Sequence, residues 1–325
     1  MWWEPHTEHE SLLLNAVTQL QSWFRAQSNE TTPVSCGVGS GWSYDLQLLV
    51  PLVLLNSEIF TLEKPATIAP FPITRVRALG FPPNRTLPQI DTTLPIYCLV
   101  VSPPQPSDVT RRILDSYLEI RGQIVCEQTS RLGTAGVAVW DQNLNSYGLL
   151  TAGHIFRKGV GSPVKRQRWK LRLWQQREYL GEVSHHVVPK NGVAGWDAAV
   201  IRPQKPIKPR RSVIRRMLKR FDQPEPIVVH GALTGLVSQA AVQGALVDVG
   251  AGDMKWRNCW MLAPTGVLTG GDSGAAVFTR KKEEFLGVYV GVSTIGADEL
   301  PLFHYVQDGY SLEQNIFNSW QVRFA

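Results

Sequence analysis

Apolar residues recur along this chain with two different periods. Leu13, Val17, Leu20 and Phe24, with Ala16 and Trp23 beside them, repeat every three to four positions, the spacing that lines one face of an α-helix. Thr7 and Glu10 ahead of them form a capping-box pair, so a helix is expected over about 8–27; its apolar face is a core stripe, a partner surface or a membrane-surface face, and Glu8, Glu10 and the scarcity of lysine favour the core. A loop over 28–42 should follow, then extended structure over 46–62. Residues 63–106 hold ten prolines and read as irregular chain, interrupted by an apolar strand at 96–101. Ser107 and Asp108 offer a cap for a helix over about 109–120.

Beyond residue 122 the period shortens. Runs at 123–127, 136–140 and 148–151 read as three successive strands, the last two joined by a turn at 141–146, with further strands at 171–173, 179–188 and 198–201. His185 and His186 are adjacent, so on a strand they point to opposite faces and read as structural rather than as ligands. Prolines return over 202–225, where Ser212 is a candidate cap for a short helix. Its apolar side would be Val213, Ile214, Met217, Leu218 and Phe221, and its opposite side Arg215, Arg216, Lys219 and Arg220. Strands are then expected at 227–230, 236–242, 245–249, 259–262, 275–278, 286–292 and 302–306. Ser311 should cap a closing helix through Trp320.

Composition adds three constraints. The 325 residues allow two domains with ample apolar content for a core. The formal charge of +6 is unevenly spread: between Arg157 and Arg220 there are eighteen Lys/Arg against three acids (Glu178, Glu182, Asp197), so the remainder is acidic overall. A solvated basic face is one reading of this segment. An acidic partner, such as nucleic acid, an anionic surface or an acidic protein domain, is the other, with Trp169 and Trp174 available for stacking. The four cysteines (Cys36, Cys98, Cys126, Cys259) show neither metal-ligand spacing nor a disulfide framework, which favours a reducing, cytoplasmic setting. The first ten residues lack the basic and apolar regions of a signal peptide, and the apolar run at 48–55 is too short to span a bilayer.

The chemistry concentrates in three short motifs. Thr269-Gly-Gly-Asp-Ser-Gly-Ala-Ala-Val-Phe278 places Ser273 between small residues at a tight turn, where Gly271 and Gly274 permit positive φ. The backbone N–H groups of Gly271 and Ser273 can then converge on an oxyanion. Thr151-Ala-Gly-His-Ile155 follows a strand, and Gly195-Trp-Asp-Ala-Ala-Val-Ile201 sets Asp197 at the head of another. A serine nucleophile needs a base to take its proton and a carboxylate to hold that base in one tautomer. The order His154, Asp197, Ser273 differs from the Asp-His-Ser and Ser-Asp-His orders of unrelated hydrolases.

On these motifs, residues from about 122 onward resemble the chymotrypsin/trypsin-like serine proteases. The resemblance implies a mainly β, two-barrel fold with a C-terminal helix. The first barrel would occupy about 121–201, a basic linker about 202–225 and the second barrel about 226–325. Residues 1–120 would precede it as a small α+β or irregular region of regulatory or docking role. It further implies a serine endopeptidase acting on protein or peptide substrates through His154, Asp197 and Ser273, with Gly271 and Ser273 as oxyanion donors and no metal or cofactor. Val267, six residues before the serine, and Leu268 would line the specificity pocket for an apolar or small side chain. Val290, Gly291 and Val292 would offer the strand edge to which substrate adds. Cysteines usual beside the histidine and serine in secreted relatives are missing. The Arg111-Arg112-Ile113 step lacks the glycines usual after an activating cut, so competence without processing is expected. A catalytically silent, protease-like binding module is the alternative.

Overall fold

The alternating stretches assemble into two large, mostly antiparallel sheets. The structure, a computed structural model, describes residues 4–26, 34–62, 71–72, 76–78, 90–106, 123–170, 174–207, 214, 216–238, 240–251, 253–265, 268–281, 283–294 and 302–325. The smaller sheet has eight strands, in the order Val322–Phe324, Ala138–Asp141, Ser146–Thr151, Ala198–Pro203, Trp174–Val187, Pro163–Lys170, Gln123–Cys126 and Leu132–Thr134. The larger has twelve. Across its centre run Ala276–Thr279, Phe285–Thr294, Leu302–Asp308, Met254–Thr265 and Val242–Ala251. With the helical segment at 309–320, this is the mainly β architecture the strand pattern and the resemblance imply.

The amino-terminal residues continue the larger sheet. Ser35–Ser43 pairs antiparallel with Val242–Ala251 on one side and with Leu48–Asn56 on the other, and Tyr97–Val101 then adds parallel to Leu48–Asn56. The sequence pattern assigned 28–42 to a loop, and the structure corrects it: all nine residues of Ser35–Ser43 are buried in a central strand. Its glycines are there because neighbouring backbone passes close. A Cβ on Gly39 would lie 2.7 Å from Val247 Cα.

The first helix, Glu8–Ala26, buries Leu13, Ala16, Val17, Leu20 and Phe24 against these strands. Its start is closed by reciprocal bonds, Glu10 N–H to Thr7 Oγ1 at 3.2 Å and Thr7 N–H to Glu10 Oε2 at 3.3 Å. Near its end Arg25 forks onto the buried Asp248 carboxylate, with Nη2 at 2.8 Å and Nε at 3.0 Å from Oδ2. Asp248 Oδ1 accepts Asn258 N–H at 3.0 Å. Burial outweighs these partners and raises the Asp248 carboxyl above its ordinary value.

Two further expectations change. The helix expected after Ser212 is not formed over its described part. Met217 instead bridges Phe285, whose N–H and C=O bond Arg216 O and Leu218 N–H, because the start of a sheet strand offers this segment a ready ladder. The closing helix is capped by Asp308 rather than Ser311: the Asp308 side chain accepts Ser311 N–H at 2.7 Å. The chain then adds Val322–Phe324 to the smaller sheet, an end strand the sequence reading lacked. The helix expected at 109–120, the strand at 171–173, the Arg111-Arg112-Ile113 step and the boundary at 120/121 lie outside the described residues. No helix among the described residues is long and apolar enough to cross a membrane.

Candidate active site

The two sheets meet where their strand-end turns interlock. His154 sits in a single 3-10 turn, Gly153–Ile155, directly after the strand Ser146–Thr151. Asp197 heads the strand Ala198–Pro203, which pairs with Ser146–Thr151, so adjacent strands of one sheet deliver imidazole and carboxylate side by side. Ser273 comes from the larger sheet, in the turn before Ala276–Thr279. His154 Nδ1 lies 2.6 Å from Asp197 Oδ2, and His154 Nε2 lies 3.0 Å from Ser273 Oγ. With its proton on Nδ1, held by the carboxylate, the ring leaves Nε2 to accept from the hydroxyl.

Asp197 is fully buried, and each of its oxygens is used. Oδ1 accepts the His154 backbone N–H at 2.8 Å, and Oδ2 accepts Trp256 Nε1–H at 2.8 Å as well as the imidazole. Burial by itself would raise this carboxyl. The His154 charge and hydrogen bonds, together with Trp256, hold it below its ordinary value instead. Trp256 belongs to Met254–Thr265 in the larger sheet, and its backbone neighbours bracket Gly195, with Gly195 N–H on Lys255 O and Arg257 N–H on Gly195 O, both at 2.9 Å. One residue of the larger sheet thereby fixes the carboxylate of the smaller.

The serine turn is clamped in the opposite sense. Thr134, on the smaller sheet's end strand, donates its N–H to Ser273 O at 2.8 Å and its Oγ1–H to Gly271 O at 3.1 Å. Its own Oγ1 accepts Ala232 N–H at 3.0 Å. Gly274 has φ +87, and a Cβ there would fall 2.1 Å from Thr151 Oγ1, so no other residue fits beneath the serine. Gly271 has φ +91. Asp272 is buried with its carboxylate enclosed by bonds from within the chain: Leu233 N–H at 2.9 Å, Thr234 Oγ1–H at 2.9 Å and Thr269 N–H at 3.1 Å.

The other sequence-selected residues spread out. Leu268 is buried in the core under the larger sheet, and Val267 lies outside the described residues. Val290, Gly291 and Val292 lie on Phe285–Thr294, beside the serine turn, since Gly274 donates its N–H to Tyr289 O at 2.7 Å. His185 Nε2 meets Asp141 Oδ2 at 2.9 Å and the ring stacks on Trp320, while His186 Nε2 bonds Gly153 O at 3.0 Å. Trp256 and Thr134 were missed from sequence. A buried tryptophan on an apolar strand and a threonine at a strand end carry no local mark of such partners.

The chain matches no family model and no curated protein by sequence. Among solved structures it is similar to a Nocardiopsis protease (18% identity, TM-score 0.45, covering 62% of this chain and 96% of that one). It is also similar to a Cellulomonas bogoriensis chymotrypsin (16%, TM-score 0.44, 63% and 96%) and to a glutamic acid specific serine protease (17%, TM-score 0.45, 63% and 98%). The structural neighbours are thus chymotrypsin/trypsin-like serine proteases, matched over about three-fifths of this chain.

Proposed function

We propose that this chain is a serine endopeptidase that hydrolyses peptide bonds through an acyl-enzyme. The observation that carries the reading is the unbroken relay from Asp197 Oδ2 to His154 Nδ1 at 2.6 Å and from His154 Nε2 to Ser273 Oγ at 3.0 Å. In the first step Oγ attacks the scissile carbonyl carbon while its proton passes to Nε2. The tetrahedral oxyanion is met by the backbone N–H groups of Gly271 and Ser273. Collapse expels the amine, which takes the proton back from Nε2, and leaves an ester on Ser273. Water repeats the sequence to release the acid. Asp197 stays ionised throughout, holding the imidazole and stabilising its cation. An oxyanion donor of this kind typically contributes about 3–4 kcal/mol to the transition state.

The enclosed Asp272 carboxylate supports activity without a newly cut amino terminus, because its acceptor positions are already filled from within the chain. Labelling with a fluorophosphonate tests the assignment. The full chain should acquire one adduct on Ser273, and Ser273→Ala none; an unlabelled wild-type chain would favour the silent binding module.

A second reading concerns the basic segment at 157–220. Among the described residues, Gln123–Cys126 meets the strand Pro163–Lys170 no further than Arg166, and Ala198–Pro203 meets Trp174–Val187 from Gly181 onward. The pairs from Gln167↔Arg177 to Lys170↔Trp174 therefore continue as a two-stranded ribbon past both neighbours. Its basic sequence suits an acidic partner. Part of the segment is already neutralised, by Lys165 with Glu127, Arg202 with Glu182, and Arg220 with Glu10 and Asp222. A salt-dependent shift on DNA or RNA would support recruitment, and no shift at low ionic strength would count against it.

A further inference from the structure

The strand Phe285–Thr294 passes beside the serine turn with unequal edges. On one side Leu302–Asp308 pairs along it from Gly287 to Thr294. On the other, Ala276–Thr279 pairs as far as Val288 and the serine turn bonds Tyr289, through Tyr289 N–H to Ala275 O at 2.9 Å and Gly274 N–H to Tyr289 O at 2.7 Å, so that neighbour ends there and the edge beyond Tyr289 can take another strand. An extended peptide presented to the nucleophile has this edge to add to. In the structure the edge is taken. Gln105–Pro106 pairs antiparallel with it, Gln105 opposite Val292 and Pro106 opposite Gly291. Upstream, Ser102 N–H bonds Thr294 O at 3.0 Å, and Thr294 N–H bonds Ser102 Oγ at 2.9 Å.

Direction gives this contact its meaning. Going from Ser102 to Pro106 the segment descends from Thr294 to Gly291, towards Tyr289, whose carbonyl holds Gly274 beside the nucleophile. It therefore runs as a peptide must run to bring its next residues to Ser273. Its composition suits occupancy without a long ladder. Pro103, Pro104 and Pro106 have no N–H, so Gln105 carries the only donor between 103 and 106. Gln105 is exposed, Pro103 and Pro106 are half-buried, and Pro104 is buried. The segment is anchored upstream by Tyr97–Val101, fixed in the larger sheet. Ser273 itself has 0% exposure and His154 7%.

We propose that residues 102–106 occupy in cis the strand edge that peptide substrate requires, making the amino-terminal region an intramolecular competitor for the site. This inference rests on the serine endopeptidase reading above. A tethered segment lowers apparent affinity by the fraction of time the edge is free, so an edge open a tenth of the time costs about tenfold.

The test uses the full chain with Gln105→Pro, which deletes the one backbone donor between 103 and 106, and Gln105→Ala, which keeps it. Ser102→Ala, which removes the acceptor for Thr294 N–H, is a second route should Gln105→Pro fail to fold. Each is assayed for hydrolysis of an extended tetrapeptide amide and for fluorophosphonate labelling. Gln105→Pro should raise kcat/KM for the tetrapeptide about tenfold and Ser102→Ala about threefold, mainly through KM, with Gln105→Ala at the wild-type value. Wild-type kcat/KM in both Gln105→Pro and Ser102→Ala, with labelling intact, would overturn the strap while leaving the protease reading standing. No labelling in any of the chains would remove the protease reading and the strap with it.

Discussion

Trp256 is the residue on which the relay depends without appearing in any motif. Its Nε1–H shares Asp197 Oδ2 with the imidazole, and its ring packs so closely on Gly291 that a Cβ there would lie 2.5 Å from Cη2. Trp256→Phe keeps the packing and removes one hydrogen bond to a buried charge, a bond of a kind that contributes about 1.5–3 kcal/mol. We expect kcat to fall about tenfold with KM little changed. The sign of the pH effect follows from Asp197, whose folded carboxyl is held below its ordinary value. Stability gained that way is present above the unfolded value and is lost as pH falls through the folded one. The stability gap between wild type and Trp256→Phe should therefore be full at pH 7 and close in acid below the ordinary carboxylate value of 3.8. Urea denaturation at both ends of that range reads it; a gap unchanged in acid would mean the ring acts by packing alone.

At the scale of elements, the chain shows why some structure was legible and some was not. The helix Glu8–Ala26 announced itself because its apolar period and capping box are both local. His154, Asp197 and Ser273 stood out because each sits in a short motif, and around His154 and Ser273 the glycines of that motif are imposed by crowding: a Cβ on Gly153 would fall 2.3 Å from Val187 O, and one on Gly274 2.1 Å from Thr151 Oγ1. Ser35–Ser43 did not, because its three glycines serve a partner two hundred residues away and look like a loop from nearby. Asp308 was legible in principle, since its cap bond to Ser311 N–H is local, but Ser311 offers a capping side chain of its own three residues later; the further bond to Asp308 from Trp260 Nε1–H at 2.8 Å comes from a distant strand. The attachment of the first helix to the larger sheet yields a prediction here. Arg25→Ala leaves the Asp248 carboxylate buried with fewer donors, and should destabilise the fold by about 2–3 kcal/mol. Chemical denaturation measures this, with Arg25→Lys recovering only part, since one ammonium cannot reproduce the fork.

For the molecule as a whole, stability comes from sheets and core and not from covalent ties. All four cysteines are free and buried, and burial pushes the Cys98 thiol up to about 12 and that of Cys259 well above its ordinary value. The native protein should therefore ignore a thiol reagent such as Ellman's, then titrate four thiols per chain once unfolded, with a melting temperature indifferent to reductant. Fewer than four on unfolding would reveal a bridge. The proposed catalytic groups are likewise a property of the whole. His154 and Asp197 belong to one sheet and Ser273 to the other, and Thr134 and Trp256 reach across in opposite directions to hold them in register.

The wedging of Ser35–Ser43 between Leu48–Asn56 and Val242–Ala251 has a bearing on how this protein would behave if cut. Cleavage anywhere between residues 106 and 123 would sever the polypeptide but not the particle, since the two pieces would still share a continuous ladder. On a sizing column they should travel together, and they should part only in denaturant. A small leading fragment recovered on a gel would thus record a break in the chain, and not the departure of a domain.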